Sequence, residues 1–429
     1  MGLFRIMAAL VCANGLLTAA WDAGEAVNAA LAERTGGQLQ LIFEFRTRLE
    51  YRPGQSFGAA PDLFADFSRT RFGLEYKPAS WVRLVGVGMD ARAPLYGTPA
   101  PSSARDPIDL HEAFVEIRGE EKRGFGATLG RQVANYGETR LVGSPQWAYI
   151  PRTYDGGRVY WRGSRVRLEA LLLSPVHLTS NSWNKPVIGE RIEGMYNVVT
   201  INSHAAADLY ALRRFQNAPG GFAGPGKIMV NTFGGRLYGP IARGYRYSVE
   251  LIGQTGRVGD LPHRANAWAV QVGKKTTLAK RPFDVVAEAK YASGGSRPGR
   301  SETFDQLYPA AHDKLGHADV LGWRNVKNVK GLAVWNWTKA ITLNIMYNNS
   351  WLADRTDAVY NLQGRPLARS ITGTAGSHIG QEADVFGSFK RNSLTLGAGY
   401  GYFFAGEFIR RTTPGFDPQY FYVFQTFSF

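Results

Sequence analysis

Charged and apolar side chains alternate in several segments of this sequence. In the first of them Phe43 and Phe45 occupy one phase, while Glu44, Arg46 and Arg48 occupy the other. Successive side chains of an extended strand point to opposite faces, so the charged groups would share one face. A guanidinium stays charged at physiological pH and binds carboxylates through a planar fork. Such a face predicts contact with an anionic solute, and the same groups could instead brace a wall through ion pairs.

The same alternation recurs along the whole chain. About eighteen such segments with one apolar face need either a second layer or lipid, and the sequence offers no amphipathic helices to cover them. An apolar outer band around a charged lumen satisfies every segment. The charged residues that we assign to the inward phase are Glu44, Arg46, Arg48, Arg69, Arg71, Arg165, Arg167, Glu169 and Arg246.

Short and long connections alternate strictly between these segments. The short ones, rich in turn-forming residues, lie at 77–80, 119–124, 162–164, 202–204, 239–240, 280–282, 336–339 and 391–392. The long ones lie at 51–61, 91–107, 134–153, 174–190, 215–226, 254–263, 293–324, 350–376 and 405–417. The pattern predicts an all-β fold, a transmembrane up-and-down antiparallel β-barrel of about eighteen strands, with short periplasmic turns and long extracellular loops.

The C-terminal segment supports a last strand that faces lipid. Phe421, Val423, Phe427 and Phe429 fall on one face. A terminal aromatic residue also resembles the sorting signal of bacterial outer-membrane barrels. Gln425 is a polar exception in the apolar phase. We expect the segment to pair with the first strand around residues 41–49, with Gln425 against that seam and the C-terminus at the periplasmic rim.

Composition indicates a β-rich chain, which could be a soluble multi-sheet protein or a membrane barrel. The 429 residues include 50 glycines, which are costly inside helices, and 13% are aromatic. No apolar run is long enough to cross a bilayer as a helix. The net charge of +15 predicts an anionic partner, such as lipopolysaccharide or an acidic solute.

The N-terminus predicts export to the bacterial outer membrane. Residues 1–20 have the pattern of a signal peptide, with Arg5 as their only charge, an apolar run and small residues at 18–20. We expect residues 21–37 to be a periplasmic segment and residues 38–429 to be one barrel domain. The only cysteine, Cys12, lies in the signal, which rules out cysteine chemistry in the mature chain. Export also argues against nucleic acid as a partner.

Two ordered sets of motifs stand out. The first contains LGRQ at 129–132, YG at 136–137, RLVG at 140–143 and RTYDG at 152–156. The second contains FDQLYP at 304–309, AHDK at 311–314, GWRN at 322–325, HIGQEAD at 378–384 and FAGE at 404–407. On these residues the sequence resembles the alginate-export family of outer-membrane proteins, from about residue 38 to Phe429. The resemblance implies an eighteen-stranded monomeric barrel and passive passage of an anionic polysaccharide through an arginine-rich constriction.

The resemblance also implies which arginines form the constriction. By position, the family's conspicuous arginines match Arg131, Arg140, Arg152 and Arg158. Arg131 shares the phase of apolar Leu129, so a β-bulge or the strand end must turn it inward. The counter-charges that we expect in the lumen are Glu44, Glu112, Asp155, Glu169 and Glu382.

Two long loops are candidates for filling the lumen. The 134–153 loop is rich in Tyr, Trp and Arg, and we expect it to fold inward. The 293–324 loop is too long for a bare connector and could act as a lid or plug. The polar residues His312, Asp313, His317 and Asp319 within it could bind a metal, but residues of this kind usually belong to a polar loop. We predict neither a metal nor a cofactor.

The predicted function is passive, anion-selective passage of an acidic polysaccharide or oligosaccharide of the alginate type. No nucleophile elbow or zinc-protease motif is present, so we do not expect an enzyme. The expected partners are the saccharide, outer-membrane lipid, lipopolysaccharide and periplasmic export proteins. The alternatives left open are a general or small-anion porin and a plugged structural or adhesive barrel.

Overall fold

A computed structural model describes residues 14–96, 100–118, 123–179, 182–217, 226–297 and 299–429. The first thirteen residues of the predicted signal peptide lie outside this set. Within the described residues, eighteen strands form the barrel wall. They are β1 (Leu39–Arg52), β2 (Leu63–Ala79), β3 (Val82–Arg92), β4 (Asp106–Ile117), β5 (Gly124–Gln132), β6 (Tyr154–Arg162), β7 (Val166–His177), β8 (Glu190–Asn202), β9 (Ala205–Gln216), β10 (Ile228–Pro240), β11 (Tyr245–Val258), β12 (Leu261–Leu278), β13 (Arg281–Ala292), β14 (Val326–Asn336), β15 (Ile341–Leu352), β16 (His378–Arg391), β17 (Leu394–Ala405) and β18 (Gln419–Ser428).

The sheet is closed and antiparallel throughout. Each strand pairs with the next along the chain, and β18 pairs with β1. At this seam Phe427 lies opposite Phe45, and Phe43 and Phe429 exchange two backbone hydrogen bonds of 3.0 Å. Gln425 lies opposite Thr47 of β1, as expected. The predicted eighteen-stranded up-and-down barrel is therefore confirmed. Because barrels of about this strand number are wide enough for an aqueous channel, the content of the lumen decides what passes.

Two predicted connections are wrong in detail. The stretch 254–263 is not a long loop, because β11 and β12 continue through it and leave only Gly259 and Asp260 between them. The positive φ of Gly259, 59°, suits such a tight turn. The predicted turn at 239–240 lies instead at 241–244, since Gly239 and Pro240 still pair with β11. In both connections, turn-forming residues near a strand end led to a wrong prediction of where the strand ends.

The two faces of the wall differ as the alternation requires. Outward side chains include Phe125, Leu129 and Leu251, which are 78%, 68% and 61% exposed. Inward side chains include Glu50 and Arg214, which are fully buried. An apolar band toward lipid and charged groups toward the lumen is the arrangement of an outer-membrane barrel.

Few helices accompany the barrel. The helix α1 (Asn14–Thr35) reaches the periplasmic end, where the Asn28 amide accepts from the Leu41 N–H at 2.8 Å and donates to the Leu41 carbonyl at 3.1 Å. A short helix α2 (Glu407–Thr412) lies between β17 and β18. No helix in the part of the chain that the structure describes has the length and apolar character needed to cross a membrane. The loops contain short strands at Lys185–Pro186, Ser296–Arg297, Arg300–Ser301, Ala358–Tyr360 and Pro366–Arg369, and 3-10 turns occur at Gln55–Gly58 and Ala242–Gly244.

Candidate functional site

The loop between β5 and β6, residues 133–153, folds into the lumen. Its Arg140 is buried and donates to Glu250 at 3.0 Å and to Glu288 at 3.4 Å, both on the far wall. Its Glu138 accepts from Arg236 at 2.7 Å. A buried charge is tolerated when it is paired and hydrogen-bonded, so these contacts fix the loop across the channel. The expected infolding of this loop is confirmed.

The loop between β13 and β14, residues 293–325, also folds inward. Asp305 accepts two hydrogen bonds from the buried Arg214, at 3.0 and 2.9 Å. The Tyr308 hydroxyl donates to Glu190 at 2.9 Å. Farther along, the Ala318 N–H donates to Glu382 at 2.7 Å. The loop is therefore attached to both sides of the barrel, which agrees with the predicted lid or plug.

The two infolded loops are joined to each other. Val142 and Tyr308 form an isolated parallel β-bridge. The Tyr308 N–H donates to the Leu141 carbonyl at 2.8 Å, and the Gly143 N–H donates to the Tyr308 carbonyl at 2.9 Å. Arg152 reinforces the junction because its guanidinium donates to the carbonyls of Gly143 and Tyr308 at 3.1 and 2.9 Å. Arg152 thus holds the two infolded loops together.

Arginines dominate the inner face of β1 and β2. Arg69 forms a 2.7 Å ion pair with Glu44, and Arg71 lies 3.9 Å from the same carboxylate. Arg46 donates to the Gln146 carbonyl at 3.1 Å, and Arg71 donates to the Gln146 side chain at 2.9 Å. Two guanidinium groups therefore share one carboxylate, and Arg46, Arg69 and Arg71 all contact oxygens of the 133–153 loop.

Toward the extracellular side, aromatic rings join the arginines. Arg48 and Arg52 pair with the buried Glu50 at 2.6 and 2.8 Å. The Arg48 guanidinium also lies 4.2 Å from the ring centroid of Trp147 and 4.5 Å from that of Tyr149. Cations over aromatic faces are attracted by the ring quadrupole. Tyr149 donates to Glu50 at 2.5 Å, so the loop is bound to this wall as well.

A cavity of about 440 Å³ opens between this wall and the two loops. Guanidinium groups, aromatic rings, amides and one carboxylate surround it. Its polar and aromatic lining consists of Arg48, Arg52, Gln55, Ser103, Trp147, Tyr149, Arg152, Gln306, Tyr308, His312, Asp319 and Gln363. Two of the predicted path residues, Arg48 and Arg152, thus meet at one place, beside residues of two loops that are far apart in the sequence.

The remaining inward arginines brace the wall. Arg158 donates to Gln132 at 2.6 Å and lies 3.7 Å from Glu169. Arg167 also pairs with Glu169. Arg246 binds Asp284 through both terminal nitrogens, each at 2.8 Å. These contacts correspond to the bracing role that the sequence left open, and they lie away from the cavity.

The predicted inward turn of Arg131 is wrong. The register of β5 with β4 and β6 continues without a shift through Arg131, so its side chain stays in the outward phase of Leu129. There it pairs with Asp155 at 2.7 and 2.9 Å and donates to the Asn184 carbonyl of the next loop at 2.9 Å. Asp155 is consequently not a lumen counter-charge. Alternation was a better guide here than the motif.

Three further predicted residues have other surroundings. Arg165 is exposed in the periplasmic turn between β6 and β7. Glu112 forms no side-chain ion pair within the described residues, and its main electrostatic neighbours are Arg71 and Arg83. Glu382 is fully buried, and its carboxylate accepts a hydrogen bond from the Ala318 N–H rather than pairing with an arginine. It therefore anchors the 293–325 loop.

The sequence reading missed several charged residues of the lumen. Arg52 and Arg236 both fit the alternation of inward and outward side chains. Arg52 lies two residues after Glu50, and Arg236 lies between Gly235 and Leu237. The buried Lys290 lies in the inward phase of β13, 2.8 Å from Glu288. Extending the alternation to the strand ends would have found all three. Gln146 and Trp147 gave no such signal, because a loop has no period.

Burial changes the ionisation of groups in the 293–325 loop. Burial lowers the pKa of His317 to about 3, and the nearby His312 and the arginines of β1 add to this effect. Its Nε2 lies 2.7 Å from the Tyr422 hydroxyl, and its ring stacks on Phe386 at 4.1 Å. Burial alone would raise the pKa of Asp305, but the guanidinium groups of Arg214 and Arg324 and the Leu307 N–H together hold that pKa below its ordinary value. His317 is therefore neutral and Asp305 charged near neutral pH.

The loop histidines do not form a metal site. His312 pairs with Asp319 at 2.8 Å, and its ring stacks on Trp147 at 4.8 Å. Throughout the described chain, no group of three or more His, Cys, Asp or Glu residues is arranged to hold a metal ion. These polar residues serve the contact between the two loops.

Solved structures with the same fold are outer-membrane barrels. OpdO of Pseudomonas aeruginosa superposes with a TM-score of 0.62 at 10% identity, over 91% of this chain and 97% of that chain. OccAB1 of Acinetobacter baumannii gives 0.61 at 10%, over 91% and 96%. OpdK of P. aeruginosa, solved with vanillate, gives 0.60 at 12%, over 91% and 98%. At these identities the likeness concerns the fold alone.

Sequence comparison identifies the family. No curated protein matches the chain. The family described as alginate export matches residues 38–422, which is most of the chain. The barrel therefore lies in the bacterial outer membrane. The chain belongs to the alginate-export family and is an outer-membrane β-barrel channel.

Proposed function

We propose that this barrel gives anion-selective passage to acidic oligosaccharides or polysaccharides along the inner face of β1 and β2. The observation that carries the proposal is the excess of positive charge there. Arg69 and Arg71 contact the carboxylate of Glu44, and both of them, like Arg46, donate to uncharged oxygens of the 133–153 loop. An anion that enters gains attraction from three guanidinium groups, which outnumber the nearby carboxylates Glu44 and Glu112.

The cavity supports a saccharide as the solute. Sugar rings present apolar faces to aromatic side chains, and uronate carboxylates match the guanidinium fork. Trp147, Tyr149 and Arg48 combine both features at one wall. A volume of about 440 Å³ falls in the range of small-molecule pockets, about 300–1,000 Å³. It accommodates a short stretch of a chain at a time.

Ion selectivity in planar bilayers tests the proposal. The reversal potential in a salt gradient should favour anions, and uronate oligomers should block the current. Replacing Arg46 and Arg71 by Gln should lower both the anion preference and the block. The matched control replaces Arg213 and Arg264, two outward arginines, by Gln and should change neither quantity. Cation selectivity of the unmodified barrel, or equal effects of the two double variants, would contradict the proposal.

A plugged barrel is the second candidate, and the junction of the two loops favours it. The Val142–Tyr308 bridge and the anchors Arg140 and Asp305 hold the loops across the lumen. In this case the barrel would show no steady conductance, and replacing residues 310–321 by a short Gly-Ser linker would create it. Steady conductance of the unmodified barrel that is blocked by uronate oligomers would favour the saccharide channel over the plugged barrel.

Small anions are the alternative solutes. The structure of OpdK, a barrel of the same fold, was solved with vanillate, an aromatic carboxylate. Block by monomeric carboxylates at the concentrations that suffice for uronate oligomers would favour a small-anion porin. A block that strengthens with oligomer length would favour the saccharide, because a longer chain contacts more of the wall.

A further inference from the structure

An arginine-rich patch lies on the outer face of the barrel, at the extracellular ends of β8 to β12. The cross-strand register places Arg213 opposite Asn231, Asn231 opposite Thr255, and Thr255 opposite Arg264. Glu193 completes this row on the other side of Arg213. Directly opposite residues on neighbouring strands lie about 5 Å apart, so the row forms one continuous surface.

The register also shows that the row faces outward. Met195, two residues from Glu193, is 46% exposed, and Phe233, two residues from Asn231, is 54% exposed. Leu251, four residues from Thr255 and in the same phase, is 61% exposed. All three are apolar and belong to the band that faces lipid. The patch therefore begins where the hydrocarbon-facing band ends.

A second row extends the patch toward the extracellular side. Arg191 lies opposite Phe215, which pairs with Met229, and Met229 lies opposite Arg257. Side chains two residues apart on one strand are about 7 Å apart, so the two rows adjoin. The four arginines of the patch are Arg191, Arg213, Arg257 and Arg264, and we call this set the rim arginines.

Little in the chain neutralises the rim arginines. Glu193 is the one carboxylate in the two rows as described, 2.8 Å from Arg191 and 3.8 Å from Arg213. Arg257 donates to a backbone carbonyl, that of Asp260, at 2.6 Å. Arg264 is exposed and has no side-chain hydrogen bond or ion pair with any described residue. Four guanidinium groups against one carboxylate leave a strong positive excess at the membrane surface.

The height of the patch matches that of lipid headgroups. Trp268, 37% exposed, lies four residues below Arg264 in the same phase, and its ring stacks against Tyr291 at 6.1 Å. Outward aromatic residues form the girdle at the boundary between hydrocarbon and headgroups. The nearer row of rim arginines lies two outward positions farther from the membrane centre than Trp268. Their charges therefore stand at the level of headgroup phosphates.

The opposite side of the barrel lacks such a patch. Tyr400, Phe421, Tyr51 and Phe64 follow one another across β17, β18, β1 and β2 in a single outward row. This row is aromatic and carries no charge. The charge of the rim arginines therefore has no counterpart in this row, which points to a localised ligand.

We infer that the rim arginines form a binding site for the phosphate groups of an outer-leaflet glycolipid of the lipid A type. Phosphate oxygens accept paired hydrogen bonds from guanidinium groups, and such charge-assisted bonds are the strong ones. The acyl chains of the same lipid would pack on Met195, Phe233 and Leu251 below. The site is separate from the lumen and independent of the solute that passes.

Lipid binding to the purified full barrel tests this site. The probes are bis-phosphorylated lipid A and the same lipid without phosphates, each incorporated in nanodiscs of zwitterionic phospholipid. We expect the phosphorylated lipid to remain bound at least tenfold more than the dephosphorylated one, as measured by native mass spectrometry. Replacing all four rim arginines by Gln should reduce this preference by tenfold or more. Since these side chains are exposed, the variant should keep the heat-induced gel shift of the unmodified barrel.

A control with the same loss of charge separates the site from net charge. It replaces Arg243, Lys280, Arg281 and Lys339, which are exposed at the periplasmic turns, by Gln. We expect this variant to retain the preference for phosphorylated lipid. Equal binding of the two lipids to the unmodified barrel would overturn the inference. So would an equal loss of binding in the control and in the rim variant.

Discussion

Arg213 and Arg214 are consecutive residues of β9 with opposite surroundings. The Arg213 side chain points outward, is 50% exposed, and has Asn231 and Glu193 as its partners. The Arg214 side chain points inward and is fully buried between Asp305, Gln216 and Glu190. One residue type on one strand thus serves two purposes. On this strand the inward arginine holds a loop to the wall, whereas the outward arginine keeps its charge accessible at the membrane surface.

The largest expected effect is the difference in folding stability between the variants Arg214→Ala and Arg213→Ala. Arg214→Ala would leave Asp305 buried without its main ionic partner, which costs about 3–5 kcal/mol of folding free energy. Arg213→Ala removes an exposed pair and should cost at most about 1 kcal/mol. Urea unfolding followed by the gel mobility of the folded barrel measures both. Similar losses in the two variants would contradict the contrast between the two faces.

A second variant probes the loop anchor on the far wall. Arg140→Ala removes the contacts with Glu250 and Glu288, and Lys290 compensates only part of the loss. We expect the free energy that attaches the 133–153 loop to the far wall to fall by about 2–3 kcal/mol. The single-channel conductance should therefore rise. Arg191→Ala, on the outer face, serves as control and should leave conductance unchanged. An unchanged conductance in Arg140→Ala would mean that the loop does not depend on this anchor.

Acid should weaken the inner contacts and spare the outer ones. The folded-state pKa of His317 is about 3, below its ordinary value of about 6.5, so a released loop binds a proton more readily. The contribution of neutral His317 to the stability of the folded loop is fully present above pH 6.5 and is lost as the pH falls toward 3. At pH 5.5 the loss is about 1.4 kcal/mol.

Channel conductance measured between pH 8 and 5 checks this dependence. It should increase below pH 6.5 in the unmodified barrel. The change should be smaller in His317→Gln, whose side chain does not titrate. A decrease on acidification, or the same curve for both proteins, would contradict the assigned role of His317.

The smallest effect is expected at a tyrosine hydroxyl. Tyr149→Phe removes the donor to the buried Glu50 and should cost about 1–2 kcal/mol. Tyr51→Phe on the outer face removes a long contact of 3.4 Å with Asp62 at an exposed site and should change stability by less than about 0.5 kcal/mol. Thermal unfolding of both variants in one detergent provides the comparison.

The wall of the barrel could be predicted because its period is strict. Strand alternation predicted the correct, inward face for Arg46, Arg69 and Arg246. It also places Arg131 on the outward face, as observed, whereas the motif indicated the inward face. Turn-forming residues alone were less reliable. They suggested a long loop at 254–263 where two strands continue to Gly259 and Asp260.

The candidate site could be predicted only in part. Arg48 and Arg152 were predicted, but Trp147 and Tyr308, which line the same cavity, lie on two loops whose positions depend on tertiary contacts. A loop has no period, so its sequence does not state which wall it meets. The aromatic content of 134–153 indicated that the loop goes inside, and the structure supplied the contacts.

The bridge between Val142 and Tyr308 makes the two infolded loops one mechanical unit. Two independent obstructions would give a channel four combinations of open and shut. Two obstructions that share hydrogen bonds across a common edge move together, so the lumen has two states. Current through a single barrel should therefore step between two levels, and cutting the shared edge should add intermediate ones.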